Sequence, residues 1–405
     1  MRLQWVDLDR FRNMERQKVQ LHPRYNLLLG RNGQGKTNFL EAVGHLGSLR
    51  SFRAAGRNEM IRHGESMCRV SGSVASEGME RTLAFALTRK GRTQLLDEKK
   101  INSPEEYLQA LKIVHFIPED VGLVGGSPAW RRRVVDRAVF EVTPHYVTEY
   151  RRYLLVLRQR NALLRKGGAS PAELTSWNHA LASTGAVLVE RRQRLIEDLR
   201  PVMEELGERL GLGKGLGLTY IASHRGADTG GENQGDYAAG KEDPITGPEL
   251  GHKSGKSIEG SILKSLSDLA EREARSGHTL AGPHRDNIIF TLGKKNPDTD
   301  LARYGSQGQK RSAVLAFKLA LAVIFHRTMG TWPLILLDDV ASELDETKRK
   351  ALGSIIRETQ AQCFISTTGE EYMFLPAAEG KVFQVTNGRL ELFEVPHLPN
   401  SKVDR

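Results

Sequence analysis

The 405-residue sequence predicts an α/β fold: a mixed-sheet lobe built from both chain ends, with an α-helical lobe inserted between them. Three observations carry this. An apolar run, "YNLLLG" at 25–30, ends in a glycine-punctuated turn followed by a segment of helical spacing. A second apolar run, Leu334 to Leu337, ends in Asp338-Asp339 near the other end of the chain. Between them lies a long, charged stretch whose apolar residues recur with a helical period. Apolar runs bounded by turns read as buried strands, and strand–turn–helix units build parallel sheets.

The elements follow in order. "LQWVDL" alternates apolar and polar residues as a half-buried strand does. From Lys36, Phe39, Leu40, Val43 and Leu46 share one helical face. "CRVSGSVAS", "RTLAFALTR" and "KIVHFIPED" supply further strands between 68 and 120. The turn "PEDVGLVGGSP" leads into a basic segment, and 142–210 predicts two or more long amphipathic helices. Pro144 and Pro171 suit helix starts, whereas Pro201 is expected to kink or break the second region. Residues 223–258 are rich in Gly, Ser and charge and predict a mobile surface insertion. A helix, the apolar helix after "YGSQGQKR", the strand "WPLILLDD", a helix near 346–360, and the strands "AQCFIST", "KVFQVTN" and "RLELFEV" complete the chain. The expected division is 1–118 with 276–405 as one lobe and 119–275 as the other. No repeat of fixed period is visible.

Composition narrows the class. Hydrophobic residues make up 39% and charged residues 27%, as in a water-soluble globular chain. The formal net charge of +10 favours an anionic partner, with nucleic acid first among them, although it also serves solubility. The two cysteines, Cys68 and Cys363, exclude a disulfide framework or a cysteine-based zinc site and suit a reducing cytoplasm. The most apolar segment, Leu315 to Leu337, is interrupted by Lys318, His326, Arg327 and Pro333, so no membrane span is expected. The N-terminus lacks the apolar core of a signal peptide.

Gly30-Arg31-Asn32-Gly33-Gln34-Gly35-Lys36-Thr37 has the spacing G-x-x-x-x-G-K-T, after a strand and before a helix. Glycines there let backbone N–H groups wrap phosphates, Lys36 reaches the outer phosphates, and the Thr37 hydroxyl serves Mg²⁺. The expected ligand is ATP with Mg²⁺. Asp338 ends the second strand where ligands of such sheets sit; it is the expected Mg²⁺ partner, and Asp339 the group that polarises the attacking water. Ser342 and Asp345 follow directly; Asp345 equally suits a helix cap.

Gly305-Ser306-Gln307-Gly308-Gln309 opens the most apolar helix of the chain. A hydroxyl residue and a glycine at a helix start offer free N–H groups and a positive dipole end to an anion. With one phosphate loop already present, a second such helix start is expected to meet the γ-phosphate of another subunit's nucleotide.

These motifs together resemble the ABC-type ATPase head shared with SMC proteins, and within it the RecF family. The resemblance rests on "FRN" at 11–13, "GRNGQGKTNFLEA" at 30–42, "SLRSFR" at 48–53, "PEDVGLVGGSPAWRRRVVD" at 118–136, "AGPHRD" at 281–286, "YGSQGQKR" at 304–311 and "LILLDDVASELD" at 334–345. It implies an ATP-dependent head-to-tail homodimer, slow hydrolysis, and DNA binding in recombinational repair at gaps or single/double-strand junctions, with RecR and RecO as partners. It also implies that Gly305 to Gln309 are the signature motif, that Glu119 occupies the place where relatives carry Gln, and that Ser342 and Asp345 belong to the loop after the acids. Thr367 stands roughly where a switch histidine is expected, and Arg12, Asn13 and Arg53 lie near the nucleotide.

Arginines of the inserted lobe are candidate DNA-backbone contacts: Arg131, Arg132, Arg133, Arg137, Arg151 and Arg152, with Arg158, Arg160, Arg191, Arg192 and Arg194 behind them. Each alone is equally a solubility charge or an internal partner. His284-Arg285-Asp286 has no role derivable from sequence. Two other classes fit the sequence less well, a transporter-type ATPase subunit and an SMC-like protein with long arms. The basic helical lobe disfavours the first. An insertion too short and too often interrupted for long coiled coils disfavours the second.

Overall fold

The structure is a computed structural model and describes residues 1–48, 56–76, 78–101, 104–166, 171–223, 255–293, 300–340, 344–369 and 379–393. Arg53, Ser342, residues 224–254 of the expected insertion and the tail after Phe393 lie outside the described residues. The chain divides into two compact units, Met1–Asp120 with Lys318–Arg405, and Val121–Phe317.

The first unit begins with β1 (Arg2–Asp9), β2 (Gln17–Gln20), β3 (Tyr25–Leu29), α1 (Lys36–Ser48) and a short α2 (Arg57–Met60). It continues through β4 (Met67–Ser76), β5 (Met79–Thr88), β6 (Arg92–Leu96), β7 (Lys99–Lys100), α3 (Pro104–Ala110) and β8 (Ile113–Phe116). The second unit carries α4 (Gly122–Gly125), α5 (Pro128–Val142), α6 (Tyr146–Lys166), α7 (Pro171–Arg209), β9 (Leu216–Ile221), α8 (Gly255–Asp268), α9 (Ala270–Ser276), β10 (Asn287–Leu292) and α10 (Leu301–Tyr304). The helix α11 (Gln307–Met329) crosses the division, and β11 (Leu334–Leu337), α12 (Glu346–Glu358), β12 (Cys363–Thr367), β13 (Gly380–Thr386) and β14 (Arg389–Leu392) return to the first unit.

The mixed sheet expected from the sequence is two sheets. One is antiparallel, in the order β2-β1-β4-β5-β6-β7; the other runs β14-β13-β3-β12-β11-β8, parallel except for the β13–β14 hairpin. The helix α1 packs against strands of both, so nearly its whole circumference is buried rather than one stripe. Phe39, Leu40, Val43 and Leu46 share a core with Val6, Val70 and Phe85 of one sheet and Leu336 and Phe364 of the other. The near-continuous burial of β3, β11 and β12, polar Asn26, Ser366 and Thr367 included, reflects cover on both sheet faces. Both cysteines are buried, and desolvation pushes their thiols up to about 12, which keeps them unreactive.

The second boundary falls at 317/318 rather than at 276. Residues 287–292 pair along their whole length with β9, and this pairing holds the segment in the helical unit. Pro201 does not break α7, which runs unbroken from 171 to 209. Pro201 sits on an exposed face, where water can replace the missing donor. Among the described helices, α11 alone is long and apolar enough to cross a membrane, but 72% of its most apolar window is buried within the protein.

Candidate nucleotide site and its supports

The phosphate loop leaves β3 and enters α1 with Gly33 at φ 80° and Gly35 at φ 117°, conformations that residues bearing a Cβ rarely adopt. Lys36 is buried, and its Nζ donates to the carbonyls of Gly30 at 2.5 Å and Arg31 at 3.1 Å. Desolvation lowers its pKa, while Asp339 and Asp338 act to raise it. The ammonium therefore sits among loop carbonyls and beside two carboxylates, where phosphate oxygens complement it well.

Neighbouring segments brace the loop. Asn13 Nδ2 donates to the Gln34 carbonyl (3.2 Å), and Asn38 Nδ2 donates to Asn13 Oδ1 (2.8 Å). From the far end of the chain, Asn387 N–H donates to Gln34 Oε1 and Gly388 N–H to the Gln34 carbonyl, both at 2.8 Å. Asn387 and Gly388 form the β13–β14 turn with φ 50° and 82°, and a side chain on Gly388 would strike the Asn13 carbonyl. Of the motif "FRN", Asn13 thus supports the loop, while Arg12 turns to Glu41, with both nitrogen–oxygen bonds at 2.9 Å.

β11 lies between the parallel neighbours β8 and β12, so Asp338 and Asp339 emerge at the carboxyl edge of that sheet. Asp338 is 4% exposed. Its N–H donates to the Phe116 carbonyl at 2.9 Å, and its Oδ1 accepts from Ser366 Oγ at 2.6 Å. Burial raises its pKa, hydrogen bonds from Ser366 and Thr37 lower it, and Asp339 and Glu119 raise it further. Thr37, Asp338, Asp339 and Glu119 are therefore neighbours. Asp339 adopts φ 51° and donates its N–H to Ser366 Oγ at 2.9 Å. Glu119 is the exposed residue of the single turn Pro118–Val121, whose buried Asp120 is held by Lys318 at 3.1 Å inside the unit.

Among the described residues no three His, Cys, Asp or Glu side chains gather as a metal centre. A Mg²⁺ ion needs less here: one hydroxyl and one carboxylate with phosphate oxygens and water completing the shell, and the Thr37–Asp338 pair fits that donor set.

Ser306 and Gln309, in the expected signature segment, form a reciprocal cap. Ser306 Oγ accepts from Gln309 N–H at 3.2 Å, and Gln309 Oε1 accepts from Ser306 N–H at 2.9 Å. The N–H groups of Gln307 and Gly308, the first of α11, have no acceptor within the helix, and both residues are exposed. The Ser306 O–H also remains able to donate. Gly305 is required by close packing: a Cβ there would lie 2.7 Å from the Leu301 carbonyl. Asp345 caps α12, accepting from Lys348 N–H at 2.9 Å.

Several candidate DNA contacts point inward. Arg131 is 7% exposed and donates to the carbonyls of Leu123, Val124 and Gly126 and to Asn287 Oδ1. Arg160 pairs with Glu273 at 2.6 Å, and Arg192 with Asp136 at 2.6 Å and the Pro283 carbonyl at 2.7 Å, both guanidinium groups buried. One guanidinium can satisfy several interior acceptors at once, so these three are struts rather than solvent-facing contacts. Arg132 is half-buried on the Asp286 carbonyl (2.6 Å), Arg137 pairs with Glu141 (2.9 Å) and Arg191 with Glu149 (3.5 Å). Arg133, Arg151, Arg152, Arg158 and Arg194 stay exposed.

His284-Arg285-Asp286 acquires a role. Asp286 is buried and accepts from Tyr220 Oη, Ser223 N–H and Ser223 Oγ. His284 Nε2 faces the Thr279 carbonyl at 3.2 Å, and Nδ1 faces Tyr153 Oη at 2.6 Å. A carbonyl only accepts, so Nε2 carries the proton and Nδ1 accepts from Tyr153. The motif locks the loop before β10 against α6 and β9. Two supports escaped the sequence reading, Ser366 and the Asn387-Gly388 turn; the former's only signal is a hydroxyl at the end of an apolar strand.

The RecF/RecN/SMC N-terminal domain model matches residues 2–391. The DNA replication and repair protein RecF of Trichlorobacter lovleyi is 34% identical over 96% of this chain and 98% of its own length. That of Anaeromyxobacter dehalogenans is 35% identical over 93% of this chain and 95% of its own. A solved recombination mediator RecF with ATP is 27% identical, covers 97% of this chain and 98% of its own, and superposes with a TM-score of 0.81. An SMC head bound to ScpA shares the fold at 15% identity, 97% coverage of each chain and a TM-score of 0.53. The chain belongs to the RecF family of DNA replication and repair proteins, with the ABC-type ATPase head of the SMC class.

Proposed function

We propose that this chain is an ATP-switched DNA-binding protein of recombinational repair and replication restart. Lys36 and the loop N–H groups hold the triphosphate, Thr37 and Asp338 hold Mg²⁺, and Asp339 polarises the attacking water, with Glu119 a second polar group at the same edge. ATP closes a head-to-tail homodimer when Gly305 to Gln309 meet the partner's γ-phosphate. The closed dimer grips gapped or junction DNA without sequence readout and supports recombinase loading at single-stranded gaps. Slow, DNA-stimulated hydrolysis releases it. RecR and RecO are the expected partner proteins, Ser342 and Asp345 border the dimer contact, and exposed Arg133, Arg151 and Arg152 contact the DNA backbone.

The observation that carries this reading is the capped start of α11: its cap is satisfied internally, yet Gln307 N–H, Gly308 N–H and the Ser306 O–H stay available at an exposed position. An anion drawn to these donors supplies the differential affinity that a two-state switch requires.

Sedimentation with and without ATP, with gapped DNA added, tests it. Wild type is expected to dimerise with ATP, and Ser306→Arg to bind ATP yet remain monomeric. Normal dimerisation of the variant would discard the account of the signature helix.

A further inference from the structure

The residue that ties the two acids together belongs to none of the motifs. Ser366 is on β12, which runs parallel to β11 with Leu337 opposite Ile365, so it stands beside the point where β11 ends. It is fully buried. Its hydroxyl has one proton and two lone pairs, and both functions are engaged. The proton goes to Asp338 Oδ1 at 2.6 Å, and a lone pair accepts the Asp339 N–H at 2.9 Å. That N–H belongs to a residue at φ 51°, in the left-handed region that side-chain-bearing residues avoid. The chain bends there, directly after the end of β11.

We propose that Ser366 is a positioning residue for ATP hydrolysis, fixing the Asp338 carboxylate and the left-handed backbone of Asp339 through one hydroxyl group. The inference rests on the roles assigned above to Asp338 and Asp339. Without the hydroxyl, the Asp338 carboxylate keeps its bond to Thr37 but loses its second donor, and the half-buried Asp339 N–H loses the Ser366 acceptor at a strained backbone position. Asp339 relaxes toward an ordinary backbone conformation, and its carboxylate leaves the position from which it acts. Lys36 and the phosphate loop are untouched, so nucleotide affinity without metal should survive. Outer partners of metal-binding groups commonly act in this way.

Steady-state ATP hydrolysis, Mg²⁺-titrated binding of a fluorescent ATP analogue and thermal melting on Ser366→Ala, Ser366→Cys and Ser366→Thr test this. The cysteine variant keeps the volume and removes the strong donor, which guards against a cavity artefact in the alanine variant. Ala and Cys are expected to lower kcat about 10- to 100-fold with KM changed less than about threefold, and to raise the Mg²⁺ concentration for half-maximal binding about tenfold. Thr keeps the hydroxyl and is expected to restore both. The Mg²⁺ titration is repeated at a protein concentration where sedimentation shows a monomer, so that it reads a single subunit and survives a failure of the dimer account. A kcat within about twofold of wild type for Ala and Cys, an unchanged Mg²⁺ requirement, or a Thr variant as poor as Ala overturns the proposal. A parallel loss of kcat, metal-free nucleotide affinity and melting temperature also overturns it, by reducing Ser366 to packing.

Discussion

Arg12 Nε and Nη2 donate to the two carboxylate oxygens of Glu41, each at 2.9 Å, and the Glu41 side chain is fully buried on α1. Arg12 also reaches the Glu59 carbonyl at 2.9 Å, so one guanidinium joins the segment after β1 to α1 and to α2. Removing one partner of such a pair strands a buried charge. Arg12→Ala is expected to cost about 3 kcal/mol, read as a lower denaturation midpoint, and Arg12→Met with Glu41→Leu to recover most of it. Nucleotide affinity at a temperature where the variant is folded should change little, because Arg12 is turned away from the loop.

Lys36 offers a second test. Its ammonium is buried and its pKa lowered by desolvation, so it contributes little to stability without a ligand. Lys36→Met is expected to melt no lower than wild type without nucleotide. ATP at about 100 times its dissociation constant should stabilise wild type by about 2.7 kcal/mol and the variant not at all. A melting shift in the variant equal to that of wild type would remove Lys36 from the site.

His284 predicts a pH dependence. Burial is the main cause that lowers its pKa to about 4 from an ordinary 6.5. The unfolded chain therefore binds the extra proton between pH 6.5 and 4, and the folded chain does not. Stability then rises with pH across that window and is lost as pH falls through it. From pH 7 to pH 5 the loss attributable to His284 is at most about 2 kcal/mol. Melting at the two pH values should show a smaller difference for His284→Gln than for wild type.

The exposed and buried arginines should separate cleanly. Arg133, Arg151 and Arg152 replaced together by Ala are expected to reduce the salt dependence of DNA binding by up to about three units of logarithmic slope, with the melting temperature nearly unchanged. Arg192→Ala strands Asp136 in the interior and should instead cost about 3 kcal/mol. Equal salt slopes for wild type and the triple variant would take the DNA face elsewhere.

This contrast marks where the sequence was legible. The loop from Gly30 to Thr37 and the acids at 338 and 339 could be read because backbone geometry and strand burial dictate their residue types locally. Arginine direction could not. On α5, Arg131 and Arg133 are two residues apart; one faces Asn287 and the other solvent, and only the position of β10 decides which. The boundary near 276 was misplaced for a related reason, since pairing of β10 with β9 links segments separated by the insertion. Ser366 and Asn387 act through partners more than twenty residues away, at separations that no local pattern encodes.

Gly388 provides the last test. Its φ of 82° and its closeness to the Asn13 carbonyl leave no room for a side chain. Gly388→Val should loosen the bonds to Gln34 and weaken ATP binding by about tenfold, a loss of about 1.4 kcal/mol, equivalent to about one lost hydrogen bond. Unchanged affinity would mean that the turn is not a support of the loop.

The same turn bears on how the protein is made. The loop that would grip the nucleotide emerges during synthesis before the turn that steadies it, Gln34 preceding Asn387 by 353 residues. The parallel sheet beneath it likewise waits for β11, β12 and β13. A growing chain therefore carries the motif before the turn and the neighbouring strands that steady it have been made.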